Sequence, residues 1–141
     1  MSVVPEKGKM IEPPAVPGVV HLASERRASA TADRLAEIVR AKGLTVFARI
    51  DFSSDAAAAG LTLLPMIQLV FGNSRAGTPL LAANAAVGLV LPLRALAWED
   101  ADGHSWLSYE APESLIERFK LPSTLGANIA GLRALCEAAA K

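Results

Sequence analysis

Leu44-Thr45-Val46-Phe47-Ala48-Arg49-Ile50-Asp51 is the most regular stretch of the chain. Leu44, Val46, Ala48 and Ile50 alternate with Thr45, Phe47, Arg49 and Asp51, and a period of two residues sends alternate side chains to opposite faces of a strand. Gly43 just before it suits the left-handed position that ends a helix. In that helix Leu35, Ile38 and Val39 recur at helical spacing, Ser29 or Thr31 offers a capping hydroxyl, and Arg34, Glu37 and Arg40 form the outer face. Further upstream, Val19 to Ser24 follows a proline and glycine cluster and reads as the first strand, with His21 half exposed on it.

Downstream, Ser53 to Gly60 has the composition of a short capped helix, and Pro65 to Gly72 that of a buried strand. Thr78-Pro79 predicts a helix start, threonine as cap and proline at the first helical position, followed by a short apolar helix over Leu80 to Ala86. Val87 to Trp98 is expected as a long strand in which Pro92 marks a bulge or an edge. Asp102-Gly103 tolerates the positive φ of a hairpin turn, and Ser105 to Tyr109 returns as the partner strand. Pro112 to Phe119 is a short helix, and a last helix presents Leu125, Ile129, Leu132 and Leu135 on one face.

At 141 residues, one core suffices. The hydrophobic fraction of 52% and charged fraction of 20% exclude a disordered polar chain and imply apolar surface buried between subunits. Fourteen basic and 14 acidic side chains, scattered along the chain, create no field for nucleic acid or an anionic membrane. A lone Cys136 forms no intrachain disulfide and no cysteine cluster, and His21 and His104 are far apart, with no carboxylates at ligand spacing. No metal and no cofactor is expected. Met1 to Pro17 has no apolar segment of a secretory signal, and the longest apolar run, Ala82 to Leu93, is broken by Asn84, Gly88 and Pro92 and is too short for a bilayer. The expected compartment is the cytoplasm. Residues 1–17 read as a flexible arm and residues 18–141 as a single domain.

Arg49 and Asp51, two apart on one strand, share a face; they either bond each other to fix register or present a forked donor beside a carboxylate to a small ligand. Asn73, Thr78 and Asn84 flank the short helix, where free amides near Thr78 can bind an anion or the three side chains simply cap backbone. The Gly72-to-Gly77 loop lacks the phosphate-binding lysine and serine ending. Glu99, Asp100 and Asp102 lie on the hairpin tip as a solvated turn, with His104 just after it. Ser105, Ser108 and Ser114 lack a nucleophile elbow, and neither histidine is placed to serve them. Trp98, Trp106, Tyr109 and Phe47 line either an apolar cavity or the core.

Several blocks together carry a resemblance: Ala48-Arg49-Ile50-Asp51, Phe71-Gly72-Asn73, Gly77-Thr78-Pro79-Leu80, Ala83-Asn84, Leu91-Pro92-Leu93, Trp98-Glu99-Asp100 and Trp106-Leu107-Ser108-Tyr109. Over about Val19 to Leu121 the chain resembles the bacterial and archaeal domain of unknown function 302 family. The resemblance implies an α+β fold of the TATA-box-binding-protein-like kind, a single curved antiparallel sheet with helices packed on it in the order β-α-β4-α with short helical insertions, and a homodimer. It does not imply DNA binding. Phe52 stands where relatives often carry histidine, and Ser74 where they often carry proline, so any role of that histidine is absent here. The expected function is a homodimeric module binding a small, partly apolar and possibly anionic molecule through Arg49, Asp51, Asn73, Thr78, Asn84 and Tyr109. The alternatives are an enzyme with Asp51 or Glu99 as acid or base, or a purely structural or adaptor protein.

Overall fold

The alternating stretch is a strand, Thr45–Asp51, at one edge of a five-stranded antiparallel sheet. A computed structural model describes residues 11–141, so the first ten residues of the expected arm lie outside the described part. In chain order the strands are β1 (Val19–Ser24), β2 (Thr45–Asp51), β3 (Met66–Gly72), β4 (Leu93–Glu99) and β5 (Ser105–Glu110), and in space they run β1-β5-β4-β3-β2. Helices α1 (Ala28–Ala41), α2 (Phe52–Ala58), α3 (Ser74–Ala83), α4 (Pro112–Arg118) and α5 (Leu132–Ala139) are joined by 3-10 turns at Ala85–Leu89 and Ser123–Asn128. The α+β class and the β-α-β4-α order with helical insertions hold.

One face of the sheet carries the main core. Ala28, Ala32, Leu35 and Val39 of α1, with Leu132, Leu135 and Cys136 of α5, pack on Leu69, Phe71, Ala97 and Leu107. Small residues on α1 and β4 let helix and sheet approach closely. A second cluster, Leu80, Val87, Leu115, Leu121 and Ile129, ties α3 and its following turn to α4 and the segment beyond it. Leu93 packs against both clusters.

Five local expectations are corrected. First, β2 is bulged: Val46 faces Phe71, but Ala48 faces Val70. The extra residue, Phe47, reverses the phase, so Val46 joins the core face, Ala48 and Ile50 turn to the other face, and Arg49 and Asp51 come to the helix side opposite Leu69 and Ile67. Second, α3 starts at Ser74, capped by Asn73 Oδ1 on the Arg75 amide at 2.8 Å; Thr78 and Pro79 lie inside the helix rather than opening it. Third, the strand expected from Val87 begins only at Leu93, because Asn84 Oδ1 takes the Ala86 amide and Val87 is drawn into the second cluster. Fourth, the last helix is split. Ile129 enters the second cluster while Leu132 and Leu135 enter the main core, and Gly131 sits at the break. At α1, neither Ser29 nor Thr31 caps; Thr31 is fully buried and bonds Ser24 and the Arg26 carbonyl.

Candidate functional site

The bulged strand β2, helix α3 and the broken C-terminal helix together leave a cavity of about 440 Å³. Phe47, Leu81, Leu91, Ile129 and Leu135 supply apolar wall, and Asn73, Thr78 and Asn128 supply polar groups. That volume lies in the range of small-molecule sites. None of its lining residues is ionisable. Two of its glycines shape it by omission: a Cβ built on Gly77 or on Gly131 would meet nothing within 4 Å. Phe47, 50% exposed, and Leu81, 41% exposed, show apolar surface there to solvent. Asn128 Nδ2 donates to the Ala76 carbonyl at 3.0 Å and so joins the two walls.

Of the six residues expected to bind a ligand, Asn73 and Thr78 line this cavity. The others are committed elsewhere. Arg49 Nη1 donates to Asp33 Oδ1 at 2.6 Å on α1, not to Asp51. Asp51 Oδ1 accepts the Ser53 hydroxyl at 2.6 Å and the Ser54 amide at 2.9 Å, capping α2, and the Ser53 bond leads the effects that hold its carboxyl below the ordinary value. Asn84 caps the 3-10 turn and donates through Nδ2 to the Phe119 carbonyl at 2.8 Å. Tyr109 is buried in the main core; its hydroxyl has no partner among the described residues, and burial pushes its pKa up.

The hairpin differs from a solvated turn. Glu99 is only 6% exposed, accepts the Ala28 amide at 3.0 Å and pairs with Arg27 at 2.8 Å. Asp100 Oδ1 takes the amides of Asp102 and His104, and its Oδ2 takes the Trp106 indole N–H at 3.0 Å. Burial raises the Asp100 pKa, but the Trp106, His104 and Asp102 N–H donors outweigh it and the net shift is downward. Asp100, Asp102 and His104 bring potential ligand atoms within 4.8 Å of one another, although both Asp100 oxygens already serve protein donors. Asp51 and Glu99 are thus both occupied by backbone N–H donors at helix starts, Asp51 on α2 and Glu99 on α1.

A polar cluster on the opposite sheet face escaped sequence reasoning. His21 and Ser108 are register partners on β1 and β5, and His21 Nδ1 lies 2.6 Å from Ser108 Oγ. The Trp98 indole N–H donates to the same oxygen at 2.8 Å, and the Trp98 and Trp106 rings stack at 6.3 Å. A histidine is therefore in place beside a serine, contrary to expectation. Indole is a donor only, so Ser108 Oγ accepts from Trp98 and keeps its own proton and a second lone pair for His21 Nδ1; His21 Nε2 is buried with no partner among the described residues. Only the strand order, which puts residues 87 positions apart side by side, exposes this cluster.

Three curated relatives match over 104 residues at 39% identity, among them "Fluoride-specific ion channel FluC 1" of Brucella suis and "Fluoride-specific ion channel FluC 2" of Brucella melitensis. The match covers 74% of this chain but only 41% and 38% of those two proteins, so the chain spans about two fifths of the curated relatives it matches. Among the described residues, no helix is long and apolar enough to cross a membrane. A solved structure, the uncharacterized conserved protein DUF302 from Bacillus stearothermophilus, shares the fold with a TM-score of 0.72 at 19% identity, over 89% of this chain and 97% of that one. The family profile described as Domain of unknown function DUF302 matches residues 20–139, and this chain belongs to that family.

Proposed function

We propose that the protein is a binding module for a small molecule held in the cavity between α3, the turn after it and α5. The carrying observation is the cavity itself: about 440 Å³, apolar for most of its wall, with Asn73, Thr78 and Asn128 as polar groups that can orient a ligand. Gly77 lies in helical backbone, so Gly77→Leu keeps α3 and fills the space; Gly131→Leu fills it from the other wall. A neutral environment-sensitive dye such as Nile red is expected to bind the wild-type chain and to bind both variants at least about tenfold more weakly, with little change in melting temperature. Equal dye binding in wild type and both folded variants would reject the reading.

The reading includes a homodimer. Leu61, Leu63 and Leu64, on the connection between α2 and β3, are 67%, 42% and 49% exposed, apolar surface that a second copy would cover. Sedimentation equilibrium showing only monomer at high micromolar concentration would remove it.

A second reading is favoured by the relatives: the domain is an accessory to a fluoride-specific channel. Its support is the similarity to the Brucella fluoride-specific ion channels, of which this domain corresponds to about two fifths. Deleting the domain is expected to change growth of the source organism in fluoride. Unchanged fluoride tolerance, with no channel polypeptide retained on the tagged domain, would end this reading.

A further inference from the structure

Resting on the cavity as the ligand site, we infer that its ligand is an uncharged, mainly apolar molecule with one hydrogen-bonding head, an alcohol, ketone, ester or amide, and that carboxylates and amines of the same skeleton are rejected. Among the described residues, the wall contains no ionisable side chain. Arg49, on the same edge strand as Phe47, is engaged by Asp33. A charged head entering the cavity would lose water and gain no counter-ion, and such a charge is costly to bury.

Two helix starts border the cavity, those of α3 and α5, and each offers partial positive potential without a full charge; at α3 its own cap uses most of it. Asn73 Oδ1 accepts the Arg75 amide, while the Asn73 carbonyl accepts the Ala76 and Gly77 amides at 3.1 and 2.8 Å. Of these first amides only that of Ser74 is left, too little to replace the shell of a carboxylate. The polar atoms still on offer suit a neutral head. Ser74 and Thr78 bring hydroxyls that both donate and accept, Asn73 retains its amide N–H groups, and Asn128, whose Nδ2 is spent on Ala76, retains its Oδ1 acceptor. The anionic component of the expected ligand thus has no partner in this cavity, because the arginine meant to supply it points to α1.

The experiment is a competition at pH 8 against bound Nile red, using full-length chain and four ten-carbon probes: 1-decanol, decanamide, decanoate and decylamine. Decanol and decanamide are expected to displace the dye at concentrations at least about tenfold below decanoate and decylamine. A Thr78→Lys variant, which adds a cation beside the head-group position, is expected to reverse the order for decanoate. Displacement by decanoate as readily as by decanol, or by neither uncharged probe, overturns the inference. Such a result leaves the cavity reading intact wherever Gly77→Leu still abolishes dye binding; dye binding that survives Gly77→Leu and Gly131→Leu sinks that reading instead.

Discussion

The Glu99 carboxylate, at the end of β4, accepts the backbone N–H of Ala28 at 3.0 Å across 71 residues of chain. It caps α1 from the sheet, a role that no residue adjacent to the helix fills. Arg27 pairs with the same carboxylate, but its side chain is 82% exposed, so solvent screens that pair. Glu99→Ala is expected to cost about 1–3 kcal/mol in urea unfolding, through a lost cap and a buried amide left unpaired. Glu99→Gln keeps an acceptor and should cost less, and Arg27→Ala should stay under about 1 kcal/mol. If Arg27→Ala matched Glu99→Ala, the ion pair rather than the cap would be the source.

Ser108 joins two aromatic donors and acceptors on the other sheet face. Its removal leaves the Trp98 N–H and His21 Nδ1 without their partner in a largely buried setting. Ser108→Ala is expected to destabilise by about 1–3 kcal/mol and to alter the near-ultraviolet circular dichroism of the stacked Trp98 and Trp106. An effect below about 0.5 kcal/mol with an unchanged spectrum would show the network to be incidental.

The contrast between Leu44–Asp51 and Val87–Trp98 shows what was legible. Element types followed from local chemistry: the hairpin turn at Asp102-Gly103, the glycine stop at Gly43, and the helical spacing of Leu35 and Val39 all act within a few residues. Phase did not. A bulge at Phe47 is decided by what β2 must match on β3, and it moved Arg49 from a presumed ligand face to Asp33 on α1. The 3-10 turn at Val87 is likewise decided by a cluster formed with Leu115, Leu121 and Ile129, residues distant in sequence. Asn73 and Thr78, singled out beside an expected helix start, line the cavity because α3 and its cap form one of its walls. The residues of the opposite wall, Asn128 and Gly131, carry no local signal of any site.

Acid stability follows from Asp51. Its folded-state carboxyl lies below the ordinary 3.8, chiefly through the Ser53 hydroxyl and then the Ser54 amide. Between the two values the unfolded chain binds more protons, so stability rises with pH there. The contribution is complete above the unfolded value and is lost as pH falls through the folded one. Asp51→Ala should therefore lower the urea midpoint at pH 6, with the gap to wild type closing below about pH 4. A gap that stays constant down to about pH 2 would contradict this assignment of the charge.

Cys136 is buried between α5 and α1, and desolvation, followed by the Glu137 charge, pushes its thiol up to about 12. The thiolate that reacts with alkylating agents is then scarce at neutral pH and shielded as well. Iodoacetamide at pH 8 is expected to modify it only in denaturant. Fast labelling of the native chain would show that α5 opens readily.

Tyr109 makes the sharpest test of the packing, because its ring and its hydroxyl pull in opposite directions. The ring contributes to the main core, whereas the hydroxyl is buried with no hydrogen-bond partner among the described residues, and burial raises its pKa. Tyr109→Phe removes the unpaired group and keeps the ring; it should be neutral or stabilise by up to about 1 kcal/mol. Tyr109→Ala removes the ring too and should cost about 3–5 kcal/mol. Were Tyr109→Phe to destabilise by more than about 1 kcal/mol, the hydroxyl would have a partner in solution, and a structure of wild type beside Tyr109→Phe would locate it.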